Sequence, residues 1–176
     1  MGSFFYIFFL ISLALTSLTN GDAHLIQKTC KTTKYYDFCV STLKSDPTSV
    51  DSDTKGLVVI LVGVATANAT ATSTFLSSES LNATKDTALK EVLKECSHKY
   101  AYASDALRAS AQDLASEFFD YANMHVMAAA DYPNACHNMF RRHPKLIYPK
   151  EVARREDVLK HLCDVILDII DYLGVN

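Results

Sequence analysis

The chain has 176 residues, 49% of them apolar and 21% charged, which is enough to bury one core and short for two. A formal net charge of −3, with Lys and Arg scattered apart from Arg141-Arg142 and Arg154-Arg155, gives no electrostatic basis for a nucleic-acid partner. Five glycines in all exclude a glycine-rich phosphate loop.

Residues 4–18 form a charge-free apolar run, followed by Thr19-Asn20-Gly21, small residues of the kind that precede signal cleavage. We read residues 1–21 as a secretory signal peptide. The run is about fifteen residues, short of the roughly 20 that a spanning helix needs, and no later run is read as long enough, so no membrane partner is expected. In the oxidising space this implies, cysteines pair.

Residues 22–50 read as an N-terminal helical hairpin arm: two short helical turns over Leu25 to Val40, stapled at Cys30 and Cys39, and ended at Pro47. That local loop is worth roughly 2 to 3 kcal/mol in the chain-entropy estimate. The arm is expected to act as a lid rather than as part of the core.

Residues 51–176 carry four helical patterns. Asp51, Ser52, Asp53 and Thr54 supply capping oxygens for the first, whose apolar face is read as Leu57, Ile60, Leu61, Val64, Ala71 and Phe75. A break is expected over Ser77 to Asn82. The second pattern repeats Leu89, Leu93, Cys96, Tyr100, Ala103, Leu107, Ser110 and Leu114 at three- and four-residue steps. After a turn at Ala115-Ser116-Glu117, the third runs back with Phe118, Ala122, His125, Ala129, Tyr132 and Cys136 on one stripe. Cys96 and Cys136 then face each other across a helical hairpin, and a disulfide there would stabilise the fold by roughly 4 kcal/mol in the same estimate. Pro133, inside the third helix, predicts a kink. The last helix shows Leu159, Leu162, Cys163, Ile166, Ile169, Ile170 and Leu173 on one face and Asp164, Asp168 and Asp171 on a solvated one, with Gly174 as its cap. The expected fold is all-α: an up-down-up-down four-helix bundle carrying the stapled arm.

Chemistry is sparse. Cys163, the fifth cysteine, reads as a buried free thiol. His137 and His143, and His161 and Cys163, share no helix face, so no metal site is expected; His125 reads as a core histidine bonded to a neighbour, with no nucleophile beside it. The sequons are Asn68-Ala69-Thr70 and Asn82-Ala83-Thr84; Asn82, in a loop, is the better glycan site, because Asn68 shares a stripe with Leu61 and Val64. No catalytic group and no cofactor is implied, and the chain reads as a binding protein.

The mature chain resembles the plant inhibitors of invertase and of pectin methylesterase. The resemblance rests on the arm from Cys30 through Tyr35-Tyr36-Asp37-Phe38-Cys39-Val40 into Leu43-Lys44-Ser45-Asp46-Pro47, on Asp53-Thr54-Lys55-Gly56-Leu57, on Cys96, and on Tyr121-Ala122 leading to Cys136. It implies pairing of Cys30 with Cys39 and Cys96 with Cys136, secretion to the cell wall or vacuole, and one-to-one docking of a monomer on its enzyme. The arm and the last helix look more like the invertase inhibitors, including the pollen-allergen type.

That branch is known for a Pro-Lys-Phe turn that enters the sucrose pocket; the matching positions here are Phe119, Asp120 and Tyr121, of which only the aromatic third is kept. Asp120 in place of Lys would set like charges together in a carboxylate-bearing pocket. Tyr121 is the expected anchor. The alternative, pectin methylesterase inhibition, is served in the family by polar side chains on the second and third bundle helices, for which Ser104, Gln112, Asp120 and Asn123 are the candidates. A third reading is a secreted bundle with a receptor or small-ligand role.

Overall fold

The computed structural model describes residues 24–83 and 85–175. The signal peptide expected over residues 1–21 lies outside the described residues, as does Thr84 of the second sequon. Every regular element among the described residues is helical: α1 over residues 24–30, α2 Tyr36–Lys44, a 3-10 turn Pro47–Ser49, α3 Thr54–Asn82, α4 Thr87–Ala115, α5 Phe119–Arg141 and α6 Lys150–Val175. Helices α3 to α6 each pack on the next, and α6 closes against α3, which is the expected up-down-up-down bundle. Two aspartates start it: Asp53 accepts from the Gly56 N–H at 2.7 Å and Asp86 from the Leu89 N–H at 2.9 Å. Each cap is worth about 1 kcal/mol.

Small residues set the α3–α4 contact. The buried line on α3 is Leu57, Leu61, Ala65, Ala69, Thr72, Leu76 and Ser80. The expected face is right at Leu57 and Leu61 and drifts off the buried line elsewhere: Ile60, Val64 and Phe75 are half-buried and Ala71 is exposed. Between Val62 and Leu76 the buried positions are small, Ala65, Ala69 and Thr72, and there α3 lies close against Ser97 and Ser104 of α4, which leaves little volume to fill. Hydroxyls join the two helices: Thr70 Oγ1 and Ser104 Oγ lie 2.8 Å apart, Ser73 Oγ donates to the Ser97 carbonyl at 2.8 Å, and Ser80 Oγ to the Lys90 carbonyl at 2.9 Å. Ser104 is thus interior and offers no surface to a partner. The same contacts carry α3 through residues 77–82, where a break was expected.

Two further expectations are corrected by α3 and the arm. Residues 56–78 hold no charged side chain, so α3 is long and apolar enough to cross a membrane by length and composition. In the bundle it packs against α4 and α6, which accounts for its buried line, while Val59, Ala67 and Ala71 are exposed. The arm is core rather than lid, since Ile26, Cys30, Cys39 and Leu43 are all buried. It lies on α6, with the Tyr35 and Phe38 rings 4.2 and 5.7 Å from His161 and the Lys34 N–H donating to Asp168 Oδ2 at 2.9 Å. Asp168 is therefore an anchor for the arm and not a merely solvated carboxylate.

Both disulfides are formed as expected, with Cα separations of 5.6 Å for Cys30–Cys39 and 4.7 Å for Cys96–Cys136. On α5 the buried line is Ala122, Val126, Ala129, Pro133, Cys136 and Phe140; the helix continues through Pro133, and Phe118 lies outside it and exposed. Helix α6 begins at Lys150, well before Leu159, and runs through Gly174, which is not a cap. Pro149 precedes its first turn and Glu151 faces the positive end of its dipole. Glu156, one turn after Val152, is a buried carboxylate that accepts from Tyr148 Oη at 2.6 Å and Lys160 Nζ at 2.5 Å, with His137 Nδ1 at 3.4 Å. Cys163 is buried and unpaired, and burial pushes its thiol up to about 12, so it is protonated and inert at physiological pH.

Candidate functional site

The α4–α5 turn is built by a left-handed residue. Glu117, the position after the Ser116 cap, has φ 61°, a conformation that usually selects glycine. The Phe118 N–H donates to the Asp113 carbonyl at 2.9 Å and the Glu117 N–H to the Leu114 carbonyl at 3.2 Å, the paired bonds of a Schellman close. Without glycine, this geometry costs about 1 to 2 kcal/mol. Lys55, at the start of α3, meets Glu117 Oε1 at 2.9 Å and holds the turn from the side.

The close delivers the chain straight into α5 with its first aromatic residues turned outward. Phe118 is 57% and Tyr121 59% exposed, their rings edge to face at 6.3 Å. Asp120, exposed in the first turn of α5, is favoured by the helix dipole, a local reason for a carboxylate at this position. Met124, also exposed, lies one further step along α5.

Phe119 takes the other direction, toward the end of α6. Gly174 lies against it, and a Cβ added there would sit 3.8 Å from the Phe119 Cβ. Two shallow depressions flank this contact: one of about 270 Å³ lined by Glu117 to Tyr121 and Gly174, the other of about 390 Å³ lined by Phe119, Asp120, Asn123, Ile170, Asp171 and Gly174. Asn123 is fixed, its Nδ2 donating to Asp171 Oδ1 at 2.7 Å, so Asp171 ties α6 to α5. Phe119, Asp120, Tyr121 and Asn123 thus share one end of the bundle, with Tyr121 and Asp120 outward and Phe119 and Asn123 engaged with α6. Gln112 is exposed on α4 one turn before the close, while Ser104 is remote from the turn and buried.

Sequence reading missed the role of five residues here. Phe118 falls in register with Ala122 and so reads as part of the buried stripe, but it is the cap and not a helical residue. Glu117 and Lys55 are 62 positions apart, and no local pattern pairs them. Asp113 and His125, 12 apart across the turn, meet with Nδ1 to Oδ2 at 2.7 Å. The signal for that pair was in the chain, since residues about equally far from a hairpin turn come face to face. His125 is bonded to a neighbour as expected, but half-exposed rather than in the core.

The glycan sequons differ in exposure. Asn82 is exposed on the last residue of α3, while Asn68 is half-buried with its side-chain oxygen enclosed and unpartnered.

Residues 24–169 match the family described as plant invertase/pectin methylesterase inhibitor. The chain is 52% identical over 159 residues, 90% of its length and 88% of the relative's, to cell wall / vacuolar inhibitor of fructosidase 2 from Arabidopsis thaliana. It is 40% identical over 158 residues, covering 86% of this chain and 70% of the other, to pectinesterase inhibitor 28 from Oryza sativa subsp. japonica. A crystal structure of a mutant form of a pectin methylesterase inhibitor from Arabidopsis superposes with a TM-score of 0.67 at 25% identity, over 81% of this chain and 92% of that one.

Proposed function

This chain belongs to the plant invertase/pectin methylesterase inhibitor family, and from that premise we propose that it is a secreted inhibitor that docks one-to-one, as a monomer, on an acid invertase and blocks its active site. The observation that carries the choice of target is the 52% identity, across nearly the whole of both chains, with a protein named as an inhibitor of fructosidase. The same relative's name supports the cell wall or vacuole as its place of action.

The α4–α5 turn supplies the contact. Phe118 and Tyr121 form an edge-to-face aromatic pair on a turn whose backbone is closed by the Schellman bonds, so a cleft can bury the rings without ordering a loop. Phe119 and Asn123 support the turn from the α6 side, and Asp120 stands at its tip. Asn82, exposed at the end of α3 far along the bundle from this turn, carries the glycan; Asn68 does not.

A second reading, inhibition of pectin methylesterase, is favoured by one feature: Asp120 stands where the invertase branch is known for Lys. The rice relative, named as a pectinesterase inhibitor, agrees with it.

Titration of the oxidised chain against a plant acid invertase and a plant pectin methylesterase, side by side, separates the two. We expect the invertase to be inhibited at a stoichiometry of one and the esterase to be untouched. Inhibition of the esterase alone would transfer the chain to the second reading.

A further inference from the structure

We propose that the α5–α6 loop and the helix ends that flank it form a binding site for an acidic polysaccharide, a chain of uronic acid carboxylates, at the end of the bundle opposite the α4–α5 turn. The inference uses the expected secretion of the chain and is independent of which enzyme it inhibits.

Residues 138–155 hold Arg141, Arg142, Lys145, Lys150, Arg154 and Arg155 against one acid, Glu151, in a chain whose formal charge is −3. The fold brings the two arginine pairs to one end. His137 Nδ1 lies 3.4 Å from Glu156 Oε2 and its ring stacks on Tyr148 at 4.5 Å, which sets the antiparallel register of α5 and α6. One turn further along α5, Arg141 and Arg142 stand level with the first turn of α6, which Lys150 opens. The α3–α4 turn at the same end is balanced, with Lys85 and Lys90 against Asp86 and Glu91, so the excess of charge belongs to the α5–α6 side.

Helix dipoles and local pairing account for only part of this cluster. Arg141, in the last turn of α5, suits the negative end of that helix, but Lys150 stands at the positive end of α6, where a cation is disfavoured. Glu151 pairs with Arg154 and Arg155, and Arg155 also covers the Phe75 ring at 4.8 Å. Arg141, Arg142, Lys145 and Lys150 are exposed and form no ion pair among the described residues. The loop between them is held in place. Tyr148 Oη donates to the buried Glu156 at 2.6 Å, its ring meets Phe140 edge to face at 5.0 Å, and the Leu146 N–H donates to the His143 carbonyl at 2.8 Å.

Four free cations strung along a loop and two helix ends suit a chain of anions better than one small anion, and the guanidinium fork matches a carboxylate. Two formed disulfides place the protein in an oxidising space outside the cytosol. Ile147, 87% exposed on the same loop, would also suit an anionic membrane, but anionic lipid faces the cytoplasm. Acidic polysaccharide is the polyanion of the space that remains. Asn82, at the end of α3, leaves Arg141 and Arg142 accessible, because α3 packs on α4 and α6 and lies diagonal to α5. Helix α5 spans about 34 Å, so a polymer bound at this end leaves Phe118 and Tyr121 free at the other.

The test is calorimetric titration of the oxidised, glycosylated chain with polygalacturonate, its fully methyl-esterified form, phosphatidylserine vesicles and duplex DNA. Polygalacturonate should bind and the ester should not. Binding should weaken about tenfold or more between about 50 and 200 mM salt, as counterion release from four contacts requires. The triple variant Arg142→Gln, Lys145→Gln, Lys150→Gln should bind about tenfold more weakly or worse, with its unfolding temperature and its inhibition of the target enzyme unchanged. Lys28→Gln, Lys31→Gln, Lys44→Gln removes as much charge from exposed positions on the arm and should bind as the wild type does. Equal binding of the ester, an equal loss in both triple variants, or tighter binding of vesicles or DNA overturns the inference. So does a wild type that binds no polygalacturonate at the lower salt. The docking reading is decided separately, by the enzyme titration.

Discussion

Single side chains do two kinds of work in this molecule, and Glu156 shows the interior kind. Burial by itself would raise its pKa, but the hydrogen bonds from Lys160 and Tyr148, with the nearby His137, outweigh that and hold the carboxyl below its ordinary value of 4.5. A depressed native value means that the ionised form stabilises the fold fully above about pH 4.5, and that this contribution is lost as pH falls through the depressed value. Glu156→Gln should therefore lower stability by about 1 to 3 kcal/mol at pH 6, and the gap to wild type should close toward pH 3 when both are followed by thermal unfolding. Equal stability at pH 6 would show that the cluster contributes nothing. Such residues were invisible in the sequence. Glu156 reads as one of many helix-surface acids until Tyr148, from the loop before α6, is seen to fold over it. The cysteines, by contrast, were legible, because Cys96 and Cys136 each sit on a stripe set by local period.

At the scale of elements, legibility followed side-chain volume. Helix α4 alternates large apolar residues on its buried seam, and its period alone placed the core face. Helix α3 shows its face at Leu57 and Leu61 but hides the rest behind Ala65, Ala69, Thr72 and Ser80, where the close approach of α4 favours small residues, so past Leu61 a search for bulk picks out the flank. The start of α6 was missed for a related reason: its first turns bury only Val152 and Glu156, and Pro149 with Glu151 was the signal to use. The two disulfides also act at this scale. Cys96–Cys136 closes a separation of 40 residues and Cys30–Cys39 one of 9. In the chain-entropy estimate the longer loop is worth about 1 kcal/mol more. Denaturant unfolding of the two double alanine variants should rank them in that order. The reverse order would mean that the arm's contacts with His161 and Asp168 depend on its staple more than the hairpin does on its own.

For the whole molecule, the docking reading proposed above gives the bundle the task of presenting one turn at one end. Lys55 from α3, Asp113 from α4, Asn123 from α5 and Asp171 with Gly174 from α6 all converge behind Phe118 and Tyr121, so every bundle helix contributes to the presentation of two exposed rings. The fold and the location of that turn were legible from hydrophobic period and cysteine placement. The conformation of Glu117 was not, because a left-handed residue is usually announced by glycine and here is held by tertiary contacts. The most direct test is the inhibition constant of Tyr121→Ala against the acid invertase, measured beside wild type with thermal unfolding of both. Truncating an aromatic anchor at the centre of an interface costs about 2 kcal/mol or more, so inhibition should weaken at least tenfold with the unfolding temperature unchanged, since the ring is exposed. An unaltered inhibition constant would contradict the account and remove the turn from the mechanism.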